Sequence, residues 1–198
     1  MAAALRKAPL AAALALASAA AAFALSVAGF QIDPTLGFAS SGAVDAAPAS
    51  GTAAVAMVGE TAPDFGVEEV GGGVVRLSDL ASRGPVWITF WATWCGPCQA
   101  EAPDLEAVTR KFKDTGLSHL AVSVGESLGV VERFVRGRYT WRAAVDPDRA
   151  ASRRYAVRVL PTHVFIDAAG KVREIRPGIL NRGQMESRIE ALLAGVGS

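Results

Sequence analysis

Hydrophobic positions divide the chain into an uncharged first part and an alternating second part. Residues 8–30 contain no charged residue and are dominated by alanine with a few leucines. From about residue 57 onward, short continuous apolar runs alternate with stretches whose apolar residues recur every three or four positions. The first pattern is typical of buried strands and the second of helices. Their alternation predicts an α/β domain with parallel strands at its centre.

The second part opens with two short apolar stretches, 65–70 and 74–77, on either side of three glycines, which predicts a β-hairpin. The run 85–91 is apolar at nearly every position and favours a strand buried on both faces. Further strands are predicted at 117–124, 141–145, 162–166 and 172–175. Further helices are predicted from the end of the cysteine motif to about 113, and at 130–138, 148–155 and 182–193. The last hairpin and helix should give the sheet an antiparallel edge.

The first thirty residues resemble an export signal, because Arg6 and Lys7 precede the uncharged run and Asp33 follows it. The run is long enough to span a bilayer. The charge distribution orients the amino terminus toward the cytoplasm and the rest of the chain toward the outside. We therefore expect a protein on the extracytoplasmic side of the membrane, anchored by residues 1–30. A cleaved signal peptide and an exported soluble protein remain the alternative.

Residues 31–56 are mostly alanine, serine, glycine and proline, which predicts a flexible linker without a core. The folded domain is then expected over 57–198, which is long enough for one ordinary core. The net charge of +1 and the mixture of both signs argue against a nucleic-acid-binding protein. The expected partners therefore do not include nucleic acid.

The chain has two cysteines, Cys95 and Cys98, directly after the predicted buried strand. A zinc site would need a second pair of ligands, and only two separated histidines are available. A purely structural disulfide across so short a loop would stabilise the fold least. The position between a strand and a helix favours a redox pair. Cys95 at the helix start is the expected nucleophile, because the helix dipole stabilises its thiolate, and Cys98 one turn later is the expected resolving thiol.

The segment Phe90–Cys98 closely resembles the active-site segment of thioredoxins, and Leu160-Pro161-Thr162 resembles their cis-proline loop. The resemblance implies a thioredoxin fold, with a central mixed sheet flanked by helices and an N-terminal hairpin. It also implies a cis peptide bond before Pro161, and a catalytic role for that proline. The residues that it implies for substrate contact are Trp94, Gly96, Pro97, Leu160 and Thr162.

Within that superfamily, which includes the AhpC/TSA redoxins, the chain is most similar to the TlpA/ResA-type exported disulfide reductases. The resemblance covers about 58–194 and rests on Ala62–Phe65, Leu77–Leu80 and Asp167–Lys171, with room for an inserted helix and strand before Pro161. It implies a reductase of disulfide-bearing proteins that needs no cofactor or metal. It further implies cytochrome c maturation, with apocytochrome c as substrate and a membrane thiol protein as electron donor.

One position departs from thioredoxin. Cytoplasmic thioredoxins carry a buried aspartate in the strand before the motif, where this chain has Thr89. Glu101 is the candidate replacement, because it lies three residues after Cys98 and therefore beside it on the helix. The exported reductases have a glutamate at the matching place. A solvated helix glutamate is the alternative interpretation.

Two rival functions share parts of the pattern. A peroxiredoxin-like thiol peroxidase would need a threonine three residues before its reactive cysteine, and Ala92 stands there before Cys95. A copper-delivery protein of the same fold would use Cys95, Cys98 and His163 as ligands, since thiolates and imidazole suit copper. An isolated histidine such as His163 or His119 is more often an ordinary structural residue.

Overall fold

The computed structural model describes residues 54–195. The predicted signal segment, residues 1–30, and most of the predicted linker, residues 31–56, lie outside this range. Ala56, at the end of that linker, donates its backbone N–H to the carbonyl of Arg154 at 2.8 Å. Within 54–195, no helix is long and apolar enough to cross a membrane.

The described residues form one seven-stranded sheet and five helices. The strands are β1 (Gly66–Glu69), β2 (Val74–Arg76), β3 (Val86–Trp91), β4 (Ser118–Val124), β5 (Ala143–Asp146), β6 (Thr162–Ile166) and β7 (Val172–Pro177). The helices are α1 (Leu77–Ala81), α2 (Gly96–Phe112), α3 (Leu128–Val135), α4 (Ala150–Arg154) and α5 (Arg182–Leu193). The strand order is β2-β1-β5-β4-β3-β6-β7. Strands β3, β4 and β5 run parallel, and the other pairs are antiparallel. The predicted mixed sheet and thioredoxin fold are therefore confirmed.

Predicted and observed elements differ in detail at several places. Residues 77–80, expected as a turn, form the short helix α1, because Leu77 and Leu80 are spaced to bury one helical face. The helix expected at 130–138 is α3 and ends at Val135, since Gly137 adopts a positive φ of 71° that a helix does not accommodate. The inserted region between β4 and β6 contains the expected helix and strand, α3 and β5, followed by the short helix α4.

The side chains of β3 alternate between the two faces of the sheet, as strand geometry requires. Val86, Ile88 and Phe90 pack in one cluster together with residues of α1 and α4. Trp87 and Trp91 pack in another cluster with both cysteines and with residues of α2, α3 and α5. We call the first side the α1 face and the second side the cysteine face. The central strand of the sheet thus leads directly into the cysteine motif and carries side chains beneath it.

Candidate active site

The two cysteines form a disulfide at the start of α2, with a Cα–Cα distance of 5.2 Å. Strand β3 ends at Trp91, and the helix begins at Gly96 with Pro97 in its first turn, where a missing N–H leaves no bond unmade. Cys95 is the N-cap residue, and its sulfur accepts the backbone N–H of Cys98 at 3.2 Å. This donor and the positive end of the helix dipole would stabilise a thiolate on Cys95 after reduction.

The surroundings distinguish the two sulfurs, whereas their exposure does not. Cys95 is 4% exposed and Cys98 is 5% exposed. Cys98 lines a cavity of about 10 Å³ that Thr89 and Glu101 also line, and Cys95 does not line it. A volume of this size can hold about one water molecule. Cys98 therefore borders a small, mostly apolar space that Thr89 and Glu101 also line, while Cys95 caps the helix.

Glu101 is buried, with 4% exposure, one turn after Cys98 on α2. Its Oε2 atom accepts the backbone N–H of Leu180 at 3.1 Å and lies 3.4 Å from Nε2 of His163. The alternative interpretation of a solvated helix glutamate is therefore wrong. The carboxyl group is therefore hydrogen-bonded to the loop before α5 and lies close to a histidine of β6.

The loop before β6 lies at the same end of the sheet as the cysteines, because Thr162 pairs with Phe90 at the end of β3. The Leu160–Pro161 peptide bond is cis, as the resemblance implied. The carbonyl of Pro161 accepts the N–H of Gly178 at 2.8 Å. Thr162 is buried and its hydroxyl donates to the carbonyl of Val159 at 2.7 Å, so this side chain supports the loop.

Exposed apolar side chains occur on the loops at this end of the sheet. Trp94, directly before Cys95, is 66% exposed. Val159 lies two residues before Pro161, and Ile179 follows the glycine that binds the Pro161 carbonyl; both are about half exposed. Large apolar residues grouped on a surface favour contact with another molecule.

Sequence reasoning missed a carboxylate that holds the loop before Cys95. Glu126, just after β4, accepts the backbone N–H of Thr93 at 2.7 Å and also the Thr93 hydroxyl. The same carboxylate accepts the hydroxyl of Ser123 at 2.6 Å. These bonds tie the segment that enters the motif to the neighbouring strand. No local pattern in the sequence relates the two segments, which are paired only by the sheet.

Sequence reasoning named Thr89, His119 and His163 but did not predict that they meet on the cysteine face. His163 is fully buried, and its Nδ1 atom lies 3.4 Å from both Nε1 of Trp87 and the hydroxyl of Thr89. The Thr89 hydroxyl lies 3.2 Å from Nε2 of His119. Burial, with a smaller contribution from His163, lowers the pKa of His119 to about 3. The available signal was the polar character of Thr89 and His163 at inward positions of two strands beside the motif.

The geometry does not support the copper-ligand hypothesis. His163 presents Nε2 to Glu101 and Nδ1 to Trp87 and Thr89, which leaves neither nitrogen directed at the cysteines. Across residues 54–195, no three side chains from histidine, cysteine, aspartate and glutamate are grouped as metal ligands would be.

Known proteins similar to this chain are thiol–disulfide enzymes. The family model of the AhpC/TSA family matches residues 58–175. Thiol-disulfide oxidoreductase ResA of Geobacillus kaustophilus (strain HTA426) is 37% identical over 136 residues, covering 68% of this chain and 78% of the relative. The ResA protein of Bacillus subtilis (strain 168) is 33% identical over 138 residues, covering 69% and 76%.

Solved structures agree with these matches. A Chlorobium tepidum protein described as a thiol:disulfide interchange protein DsbE superposes with a TM-score of 0.63 at 33% identity, covering 70% of this chain and 99% of that structure. The exposed lipoprotein thioredoxin Etrx1 of Streptococcus pneumoniae (strain TIGR4) superposes with a TM-score of 0.59 at 29% identity, covering 65% and 99%. The chain therefore belongs to the AhpC/TSA family, and within it is a thioredoxin-fold thiol–disulfide oxidoreductase.

Proposed function

We propose that this oxidoreductase reduces disulfide bonds in exported proteins, with Cys95 as the attacking thiol and Cys98 as the resolving thiol. The observation that carries the proposal is the N-cap position of Cys95, whose sulfur accepts the Cys98 N–H at the positive end of α2. A thiolate is the nucleophile in disulfide exchange, and only Cys95 has this stabilisation.

Reduction of a substrate takes two exchange steps. The Cys95 thiolate attacks one sulfur of the substrate disulfide, forms a mixed disulfide, and releases the other substrate sulfur as a thiolate that takes up a proton. Cys98 then loses its proton and attacks the Cys95 sulfur. The mixed disulfide breaks, the Cys95–Cys98 disulfide forms, and the second substrate sulfur leaves as a thiol. Two protein thiols are oxidised and one substrate disulfide is reduced.

Glu101 is the proposed acceptor of the Cys98 proton in the second step. It lies one turn after Cys98 and lines the same cavity, so that one water molecule between them is enough to carry the proton. It would thereby take the role of the buried aspartate of cytoplasmic thioredoxins, in whose place this chain has Thr89.

Trapping of the mixed disulfide tests the assignment of the two cysteines. Cys98→Ser removes the resolving thiol, so the variant should accumulate covalent complexes that a reductant releases. Cys95→Ser is the matched control and should trap nothing. Non-reducing gels of the two full-length variants with an oxidised protein substrate make the comparison. Equal trapping by both variants would show that the attacking thiol has been wrongly assigned.

The proposed direction of electron flow is reduction of the substrate. The glycine–proline pair between the cysteines is typical of reducing members of the superfamily. We expect a reduction potential near that of thioredoxin, about −270 mV, rather than near that of the oxidant DsbA, about −120 mV. Equilibration of the full-length protein with redox buffers, followed by thiol alkylation, measures it. A potential near the DsbA value would make the protein an oxidase.

The proposed substrate-contacting surface combines Trp94, Gly96 and Pro97 of the motif with Leu160. No backbone hydrogen bond joins Leu160 to another residue in the described part of the chain, so its main chain is available to an incoming peptide. Pairing through the main chain would tolerate many substrate sequences. Thr162 contributes to this surface indirectly, through the loop that its hydroxyl supports.

The proposed setting is the extracytoplasmic side of the membrane, with residues 1–30 as anchor, apocytochrome c as substrate and a membrane thiol protein as electron donor. Support comes from the export-signal pattern and from the similarity to the ResA group. Fractionation should leave the protein with membranes until detergent is added. The Cys98→Ser trap in cells should contain apocytochrome c, and its absence would contradict this substrate.

A further inference from the structure

Glu101 is a buried carboxyl group, and burial of such a polar group is unfavourable unless hydrogen-bond donors replace the lost water. The Leu180 backbone N–H supplies one donor, at 3.1 Å from Oε2. The other polar atom near the same oxygen is Nε2 of His163, at 3.4 Å, and this nitrogen is buried without a hydrogen-bond partner in the described structure. The state of the His163 ring therefore decides whether Glu101 has one donor or two.

The neighbours of the opposite ring nitrogen determine that state. Trp87 can only donate through its indole N–H, which lies 3.4 Å from Nδ1 of His163. Nδ1 must therefore accept, and the ring proton of neutral His163 must be on Nε2, the nitrogen that faces Glu101. A doubly protonated ring would place an N–H against the indole N–H. Trp87 thus fixes His163 as a neutral donor toward the carboxylate.

The groups packed around His163 are consistent with a neutral ring that carries its proton on Nε2. On β3, the Thr89 hydroxyl lies between the two histidines. On β4, burial lowers the pKa of His119 to about 3, so this histidine is neutral at physiological pH. On β7, Arg176 is opposite His163 in register, but it is exposed to solvent. Helix α5 presents apolar Met185 and Ile189 to the cluster. On α2, Glu101 and the Cys98 thiol of the reduced protein are the remaining titratable groups.

We propose that His163 is a positioning residue for proton transfer: as a neutral Nε2–H donor it holds the Glu101 carboxylate toward the cavity that Cys98 lines. The inference rests on the proposed role of Glu101 as proton acceptor. In the second exchange step the proton moves from Cys98 to Glu101 while His163 keeps its own proton. The distance of 3.4 Å belongs to the oxidised protein, and hydrogen bonds of catalytic groups often tighten only during reaction.

Two substitutions separate this role from simple packing. His163→Phe keeps an aromatic ring beside Trp87, whose ring centroid is 6.0 Å from that of His163, but removes the donor. His163→Gln keeps an N–H donor and an acceptor in a smaller side chain. His119→Gln is the matched control, because it replaces the other histidine of the cluster, which does not contact Glu101.

The experiment follows the reaction of the reduced full-length protein with a chromogenic aromatic disulfide in a stopped-flow instrument. A first phase of chromophore release reports attack by Cys95, and a second phase reports resolution by Cys98. His163→Phe should slow the second phase about tenfold, because the hydrogen-bond donor toward the carboxylate is lost.

The other variants define the outcome. His163→Gln should restore most of the second-phase rate, His119→Gln should leave that rate unchanged, and the first phase should stay within about threefold of the parent in all variants. Glu101→Gln should slow the second phase by at least about a hundredfold, the usual contribution of a general base, and His163→Phe should add nothing in that background. If Glu101→Gln leaves the second phase unchanged, the proposed role of Glu101 fails. If it slows that phase but His163→Phe does not, or if His163→Gln is as slow as His163→Phe, the His163 inference alone fails.

A measurement on the unmodified protein keeps the inference testable if a variant does not fold. Long-range nitrogen–proton NMR spectra of the full chain distinguish the two neutral tautomers of each histidine. We expect the Nε2–H tautomer for His163 at neutral pH, in both redox states. An Nδ1–H tautomer, or a doubly protonated ring, would overturn the proposal.

Discussion

The two faces of the central sheet are formed by the same strands but bury different kinds of side chain. On the α1 face, the inward residues of β3 and β6 are the apolar Val86, Ile88, Phe90, Val164 and Ile166, with the single polar residue Thr162 at the loop end of β6. On the cysteine face, the alternate positions of the same strands include Thr89 and His163, which are direct partners in register. Polar groups are thus buried at the centre of one face and not of the other.

The difference shows where the fold loses stability in order to bury polar groups beside the cysteines. Burial of a polar group is unfavourable unless it is hydrogen-bonded, whereas burial of an apolar side chain is favourable by about 1.5–3 kcal/mol. The α1 face therefore contributes stability without constraint on its chemistry. On the cysteine face, part of the stability from apolar burial is lost, because Glu101 and His163 occupy buried positions near the cysteines.

The largest expected effect on stability comes from the α1 face. Leu80 of α1 is 1% exposed, and Leu80→Ala should lower the free energy of unfolding by about 2–5 kcal/mol, because it leaves a cavity in a packed core. Chemical denaturation measures this loss. Both phases of the chromogenic disulfide reaction should be unchanged in the folded fraction. A slow second phase in folded Leu80→Ala would show that the two faces are not independent.

Acid should destabilise the protein through the cysteine face. His119 has a folded pKa of about 3 against an ordinary value of 6.5, so the unfolded state binds a proton that the folded state does not. His119 therefore leaves the free energy of unfolding undiminished above pH 6.5. Below pH 6.5 the free energy of unfolding falls, by about 3 kcal/mol at pH 4.5. His119→Gln should flatten the dependence of unfolding free energy on pH. The same slope in parent and variant would assign the acid sensitivity to other groups.

Conversion of the cysteine face into an apolar one should separate stability from activity. The double variant Glu101→Met/His163→Phe removes a buried polar pair, but it leaves the N–H groups of Leu180 and Trp87 without acceptors. These effects oppose each other, so the free energy of unfolding should stay within about 2 kcal/mol of the parent. The resolution phase should still be lost. A large fall in stability would show that the pair is mainly structural.

The smallest expected effect concerns α5, which packs against the cysteine face. Asn181 caps this helix, accepting the N–H of Gln184, while the Gln184 side chain accepts the N–H of Asn181. Asn181→Ala should cost about 1 kcal/mol of unfolding free energy. Ser127 precedes α3 without a side-chain cap bond, so Ser127→Ala is the matched control and should cost only a few tenths. Equal losses in thermal unfolding would contradict the capping assignment.

Most of the fold was predictable because it rests on local pattern. The alternation of apolar runs and helical periods predicted β6 (Thr162–Ile166) and α5 (Arg182–Leu193) at their observed bounds. Boundaries were less predictable where an element is short. Strand β5 begins at Ala143 rather than Trp141, because its extent is set by pairing with β4 and β1.

The residues of the candidate site also divide into those that local pattern predicted and those that it did not. Cys95 and Cys98 were identified from a spacing of three residues, which a helix start converts directly into proximity. Glu101 was identified as a neighbour of Cys98 for the same reason. Its burial was left open, because the groups beside it, Leu180 in the loop before α5 and His163 on β6, lie about 60–80 residues further along the chain.

The sequence by itself determined the strand, the helix and the two cysteines at their junction, since each depends on residues within one or two helical turns. Only the tertiary structure decided that Thr89, His119 and His163 meet under Glu101. Strand register brings the first three together, and the packing of α2 on the sheet adds the carboxylate. A polar residue in a strand has no assigned partner until the neighbouring strand and the covering helix are in place, because hydrogen bonds act over a few ångströms in space and not along the chain.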